Sequence, residues 1–303
     1  GAGGFFAGEV LAPLGADTAG SLFLTPDGRL PNHAPNPENA AAMDSIRTAV
    51  LECKADFGII FDTDVDRSSA VDKYGKEISR NAIVAMAAAL IAAEHPGTTV
   101  VTDSITSDQL TVYLEKCLGL KHFRFKRGYK NVINKAIELN ESGIDSQLAI
   151  ETSGHAAYKE NYFLDDGAYL ATKIVIKAAQ LAQSGAGIDV LLSSLAEPKE
   201  AIEIRFPISG SDFGAYGEKV LTDLKKWAME PEQVSDGISL VEPNYEGVRL
   251  NFRTEDTEGW CLLRKSLHDP IMPLNVEVTK GSCEKILCII KVFLSKYDKI
   301  VVE

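Results

Sequence analysis

The run FDTDVDR, Phe61 to Arg67, sets three aspartates at alternate positions and closes them with an arginine. Like charges at this spacing repel, and a hard divalent cation turns that repulsion into attraction. Magnesium suits a site with few protein carboxylates, where a phosphate oxygen completes the shell. Asp62, Asp64 and Asp66 are the candidate ligands, and Arg67 is placed to hold the geometry or to meet a phosphate. A solvated acidic turn and a calcium loop share the D-x-D-x-D pattern. The calcium reading is weakened because no helix leads into the run and its twelfth position is Lys73, not a glutamate.

Three further clusters carry chemistry. In ETSGHAAY, Glu151, Ser153 and His155 alternate after an apolar run, with Gly154 permitting close approach. Such a loop suits sugar hydroxyls: the carboxylate accepts, the hydroxyl does either, and the imidazole donates or moves a proton. In FKRGYKN, Lys126, Arg127 and Lys130 surround Gly128 just before a helical pattern, an arrangement that attracts anions. In LLRKSLHDP, Arg264 and Ser266 follow a strand pattern with His268 behind them. A guanidinium beside a hydroxyl makes a phosphate clamp. Each of these has an ordinary reading as a polar turn or a solvated cap.

The elements that must position these residues are legible as pattern. ADFGIIFD reads as a buried strand ending at the aspartates, and in open α/β sheets ligands gather at the carboxyl ends of strands. Helices are predicted over 36–55, 80–97, 107–119 and after 128, with a long one from 165; strands are predicted at TTVVTDS and SQLAI. This alternation predicts a mainly parallel sheet with helices on its faces. Beyond about residue 195 strands dominate: EAIEIRFP, GISLVEP, EGVRLNFR, WCLLRKS and LNVEVTK, with helices over 213–229 and near the end. That is α+β. The expected fold class is therefore two consecutive α/β domains, 1–80 and 81–195, followed by a smaller α+β domain, 196–303.

Composition narrows the class. Acidic residues outnumber basic ones, 43 to 31, for a net charge of −12, which excludes a nonspecific nucleic-acid binder. The five cysteines, Cys53, Cys117, Cys261, Cys283 and Cys288, are scattered without a C-x-x-C, as in reduced intracellular thiols. No apolar run reaches the ~20 residues of a membrane span. The opening GAGGFFAGEV, without methionine, reads as the interior of a longer protein.

Taken in order, the four clusters resemble those of the α-D-phosphohexomutases, the phosphoglucomutase, phosphomannomutase and phosphoglucosamine mutase family. The family's metal loop, usually D-G-D-G-D-R, is here DTDVDR; its sugar loop, G-E-x-S-G-H, is IETSGH; its phosphate loop, R-x-S-G-T-x-P, is RKSLHDP. KRGYKNV resembles the third-domain loop that recognises sugar and phosphate, and PDGRLPNHAPNPEN the stretch ahead of the metal loop. The resemblance spans nearly the whole chain and covers the second to fourth of four domains, with mixed sheets in the α/β pair.

That resemblance implies an intracellular, cytoplasmic or plastid, isomerase. Phosphoryl transfer would run between C1 and C6 of a hexose phosphate through a hexose 1,6-bisphosphate. Mg²⁺ would sit on Asp62, Asp64 and Asp66, with Arg67 and His155 catalytic. Lys126, Arg127, Lys130, Glu151, Ser153, His155, Arg264, Ser266 and His268 would bind substrate. The donor would be a phosphoserine of a first domain whose Ser-His-Asn or Ser-His-Asp loop is absent from these 303 residues. The chain alone is expected to be inactive, its partner being that missing domain. Departures stand at Thr63 and Val65, where the family has glycines, and at Leu267 and His268, where it has Gly-Thr. They keep open a non-catalytic sugar-phosphate binder; a metal-dependent hydrolase lacks a nucleophile context.

Overall fold

The computed structural model describes residues 1–210, 212–266 and 269–302. The chain divides into two compact units, Gly1–Ala196 and Glu197–Glu303.

The first unit opens with short helical turns between Ala2 and Leu14, then runs without regular structure to Asn39. Asn39 caps α1 (Ala40–Cys53) by accepting the Ala42 amide, as short polar side chains do at helix starts. Strand β1 (Phe57–Phe61) then reaches the aspartates and β2 (Ser68–Asp72) returns antiparallel to it, with Phe61 opposite Ser68. β3 (Glu77–Ile78) pairs antiparallel with β2. This sheet is antiparallel throughout, against the parallel arrangement expected, because the aspartate turn is itself a hairpin connection. A long crossover would be needed to make neighbouring strands parallel.

The second sheet has the order β5-β4-β6-β7. β4 (Thr99–Thr102) lies between β5 (Lys121–Arg124) and β6 (Ser146–Ile150), parallel to both, and β7 (Ala156–Tyr158) runs antiparallel on β6. Helix α2 (Asn81–Ile91) is apolar nearly all round and buries seven residues, as a helix between packed layers must. α3 (Asp108–Val112) precedes β5, α4 (Tyr129–Glu141) precedes β6, and α5 (Gly167–Ala182) follows β7. One core links Ala70 and Ile78 of the first sheet, through α2, to Leu148, Ile150 and Leu170. Val132 and Ala136 of α4 cover the other face of the second sheet at Val101 and Ala149. Packing of this kind fixes the strand ends, where the candidate residues lie.

The second unit is a five-stranded antiparallel sheet ordered β8-β12-β11-β10-β9. Its strands are β8 (Glu200–Pro207), β9 (Ile238–Leu240), β10 (Val248–Arg253), β11 (Glu258–Leu263) and β12 (Ile271–Lys280). Helices α6 (Phe213–Trp227) and α8 (Cys283–Leu294) cover one face, burying Val220, Leu224, Ile286 and Ile290 against Leu250, Phe252, Leu274 and Val276; the short α7 (Pro231–Ser235) precedes β9. Among the described residues no helix is long and apolar enough to cross a membrane.

Candidate active site

The aspartate turn is closed by its own side chains. Asp62, buried at the end of β1, accepts the amides of Val65 (3.0 Å) and Arg67 (3.2 Å) on Oδ1. Its Oδ2 takes the Arg67 Nε at 2.9 Å. Arg67 therefore serves the loop geometry. Carboxylate oxygens of Asp62, Asp64 and Asp66 lie within 4.8 Å of one another. Burial first, and the neighbouring Asp62 next, push the Asp66 carboxyl up to about 6. Its Oδ1 is buried with no hydrogen-bond partner. An all-oxygen cluster with an orphaned buried oxygen fits a hard divalent cation such as magnesium. Val65 holds φ at +72°, a backbone that a β-branched residue rarely adopts.

The sugar-type loop follows β6. Glu151, Thr152 and Ser153 are buried, and Gly154 turns at φ +97°. A Cβ there would meet the Ser68 carbonyl oxygen at 2.7 Å, so glycine is what lets this loop lie on the strand that leaves the aspartate turn. Ser68 donates its amide to the Gly154 carbonyl at 3.4 Å, and Arg67 and His155 form a β-bridge. From the other side the Gly167 amide donates to the Val65 carbonyl at 3.1 Å. The aspartates and His155 are thus joined by backbone.

His155 Nδ1 is 2.7 Å from Asp165 Oδ2 and 3.7 Å from Asp66 Oδ2, and its ring stacks on Tyr129 with centroids 5.1 Å apart. Burial alone would lower its pKa. The hydrogen bond and charge of Asp165, with Asp66 and Glu151, outweigh burial and raise it. Glu151 accepts the Gly128 amide on Oε1 at 2.6 Å. Its carboxyl is pushed up to about 7, first by burial and then by Asp103. The basic turn therefore meets the loop after β6 through Gly128, the N-cap of α4. Arg127 is half-buried with its charge felt at Glu151, while Lys126 and Lys130 are exposed.

In the second unit, Arg264 follows β11 and is buried at 7% exposure. Its Nη2 donates to Asn275 Oδ1 at 3.4 Å, and Asn275 Nδ2 donates to Glu203 Oε2 at 3.1 Å. Ser266 Oγ accepts the Asp269 amide at 3.1 Å. Leu267 and His268 lie outside the described residues.

The alpha/beta/alpha domain II model of phosphoglucomutase/phosphomannomutase matches residues 1–75, and the domain III model matches residues 79–197. The chain belongs to the phosphoglucomutase/phosphomannomutase family. A phosphomannomutase/phosphoglucomutase of Pseudomonas syringae pv. tomato is 28% identical over 292 residues, 94% of this chain and 57% of that protein. A solved phosphoglucomutase/phosphomannomutase family protein from Burkholderia thailandensis superposes with a TM-score of 0.78 at 25% identity, over 98% of this chain and 58% of that one. The fold also matches, at TM-score 0.51 and 15% identity, an Aspergillus fumigatus N-acetylphosphoglucosamine mutase solved with GlcNAc-6P and magnesium, over 85% of this chain and 53% of that one. The chain spans a little over half the length of the curated relatives it matches.

For a member of this phosphoglucomutase/phosphomannomutase family, the sequence patterns omit several residues that build the site. Asp165 hides in Asp165-Asp166-Gly167, where Asp166 caps α5 by accepting the Tyr169 amide and Asp165 is left to face His155. Asp103, directly after β4, accepts the Thr152 amide and hydroxyl across the sheet. Tyr129 reads as the first residue of a helix. The aspartate pair is the one signal present in sequence; the other contacts depend on strand order.

Proposed function

We propose that this chain supplies the metal, sugar and phosphate sites of a phosphohexomutase that moves a phosphoryl group between C1 and C6 of a hexose phosphate through a hexose 1,6-bisphosphate. The observation that carries this reading is the backbone seam that joins the aspartate turn to Gly154 and His155. Two binding chemistries, for a cation and for a polyol, are held side by side.

Magnesium bound at Asp62, Asp64 and Asp66 would neutralise charge on a transferring phosphoryl group. Phosphoryl transfer needs mainly positioning and electrostatics. Asp62 and Arg67 hold the turn in shape. Ser153, whose buried Oγ has no hydrogen-bond partner, and Glu151 would bind sugar hydroxyls. His155, oriented by Asp165 through Nδ1, keeps Nε2 for a substrate oxygen and is set to hold or release a proton there. Arg264 and Ser266 would grip the phosphate that is not reacting. The donor phosphoserine comes from outside these 303 residues, and the chain alone turns nothing over.

The test is calorimetry with glucose 6-phosphate and Mg²⁺, beside a turnover assay with glucose 1-phosphate. Binding without turnover, lost in D64A and S153A, is the expected result. Absence of binding, or binding indifferent to both variants, overturns the site. Turnover by material free of contaminating mutase overturns the assignment of the donor. The Leu267-His268 replacement in the phosphate loop favours a second reading, a non-catalytic hexose-phosphate sensor. A longer parent that binds substrate yet carries no phosphoserine would select it.

A further inference from the structure

Beneath the sugar-type loop lies a second carboxylate that the proposed chemistry leaves unused. Asp103 is fully buried at the end of β4, and its Oδ2 accepts both the hydroxyl (2.7 Å) and the amide (3.3 Å) of Thr152. Thr152 is the residue after Glu151, so Asp103 anchors the backbone on which Glu151 stands. Glu151 is itself only 4% exposed. Its Oε1 is taken by the Gly128 amide, and among the described residues nothing hydrogen-bonds Oε2. The charged groups facing Glu151 are Asp103 from the β4 end, Arg127 from the turn before α4, and His155 from its own loop.

Two buried carboxylates in one small volume do not both ionise readily. Asp103 accepts the hydroxyl and the amide of Thr152 on Oδ2. Burial first, and the charge of Asp103 next, favour the protonated form of Glu151. Because Oε1 already accepts an amide hydrogen, the proton goes to Oε2, the oxygen left for a ligand.

We propose that Asp103 is a positioning residue for Glu151, fixing the loop through Thr152 and making Glu151 Oε2 a hydrogen-bond donor, not an acceptor, toward a sugar hydroxyl or ring oxygen. This rests on reading the loop as a hexose-phosphate site. In the alternative the glutamate is an ordinary carboxylate that accepts hydroxyl hydrogens.

The pair is tested first without any ligand. The chain labelled with ¹³C at glutamate side-chain carboxyls is titrated by NMR, with E151Q identifying the Glu151 signal. The expected midpoint is about 7. In D103N, where the amide oxygen still accepts from Thr152, it falls by at least one pH unit, a tenfold loss of proton affinity. A wild-type midpoint near the ordinary glutamate value overturns the proposal even if D103N does not fold. So does a midpoint unmoved in a folded D103N.

A second arm uses glucose 6-phosphate affinity between pH 5.5 and 8.5. Wild-type binding should weaken at least fivefold as pH rises through the Glu151 midpoint, and E151Q should abolish that dependence because its amide donates at every pH. E151A should abolish binding. Were E151Q as damaging as E151A at every pH, the donor role would be wrong. Failure of the wild-type chain to bind glucose 6-phosphate at any pH would instead sink the sugar-site reading, and the NMR titration would still decide the carboxylate pair.

Discussion

The imidazole of His155 is held between two carboxylates from different parts of the chain, Asp165 at 2.7 Å and Asp66 at 3.7 Å from the same nitrogen. Asp165 is the closer and is hydrogen-bonded, so it sets the tautomer: Nδ1 carries the hydrogen and Nε2 is left for other work. In D165N that support goes, and the His155 midpoint in a ¹⁵N-histidine NMR titration should move to lower pH. A midpoint that stays put would show that Asp165 does not govern the ring.

Asp66 predicts how stability follows pH in metal-free protein. Its carboxyl is raised from 3.8 to about 6, chiefly by burial. Between those values the folded chain keeps a proton that the unfolded chain has lost, so this group's contribution is full below pH 3.8 and lost as pH rises through about 6. Melting temperature in EDTA should therefore decline over that window, and D66N should flatten part of the decline. Added Mg²⁺ at pH 7.5 should raise the wild-type melting temperature and leave D66N unmoved.

Val65 carries a conformation normally left to glycine, at φ +72°. Strain of this kind costs on the order of 1–3 kcal/mol, against roughly 0.5–1 kcal/mol for the added chain entropy of glycine. V65G should stabilise the chain by about 1 kcal/mol in urea unfolding. A destabilised V65G would mean that the side chain's packing outweighs its backbone strain.

Gly167 permits no side chain. A Cβ would fall 2.6 Å from the Arg67 carbonyl carbon and 2.7 Å from the Val65 carbonyl oxygen, both backbone atoms. G167A must push the aspartate turn away, at a cost of about 1–3 kcal/mol. Mn²⁺ binding followed by electron paramagnetic resonance should weaken at least tenfold. Undisturbed affinity would place the metal elsewhere.

Asn275 links Arg264 to Glu203. N275A should weaken inorganic phosphate binding less than R264A does, and R264A should cost about 1.5–3 kcal/mol, the usual worth of a hydrogen bond to a charged group. Equal affinities for wild type and R264A would remove the arginine from the phosphate site.

Much of this was legible because chemistry and element type are local. Apolar runs located β1, β4, β6 and β11, and the polar clusters that follow β1, β6 and β11 carry the aspartates, Glu151 and Arg264. What the pattern withheld is non-local. Nothing near Phe61 announces that β2 returns antiparallel, since Ser68 and Ser69 are buried polar residues in a strand that looks like loop. Asp103 meets Thr152 only because β4 and β6 are neighbours in the sheet. Asp165 meets His155 only because the chain after β7 turns back alongside it, as the bridge of Ala157 to Asp165 records. Periodicity tells which face of an element is apolar and is silent about which element lies next to it.

The backbone joins at Val65 with Gly167 and at Ser68 with Gly154 bear on how such proteins can be recombined. A chimaera joined between residues 75 and 79 keeps each matched segment whole and looks like a clean exchange of modules. It nonetheless sets one parent's aspartate turn on the other parent's glycines. A donor with any side chain in place of Gly154 or Gly167 would push the aspartate turn away from the loop that carries Glu151 and His155.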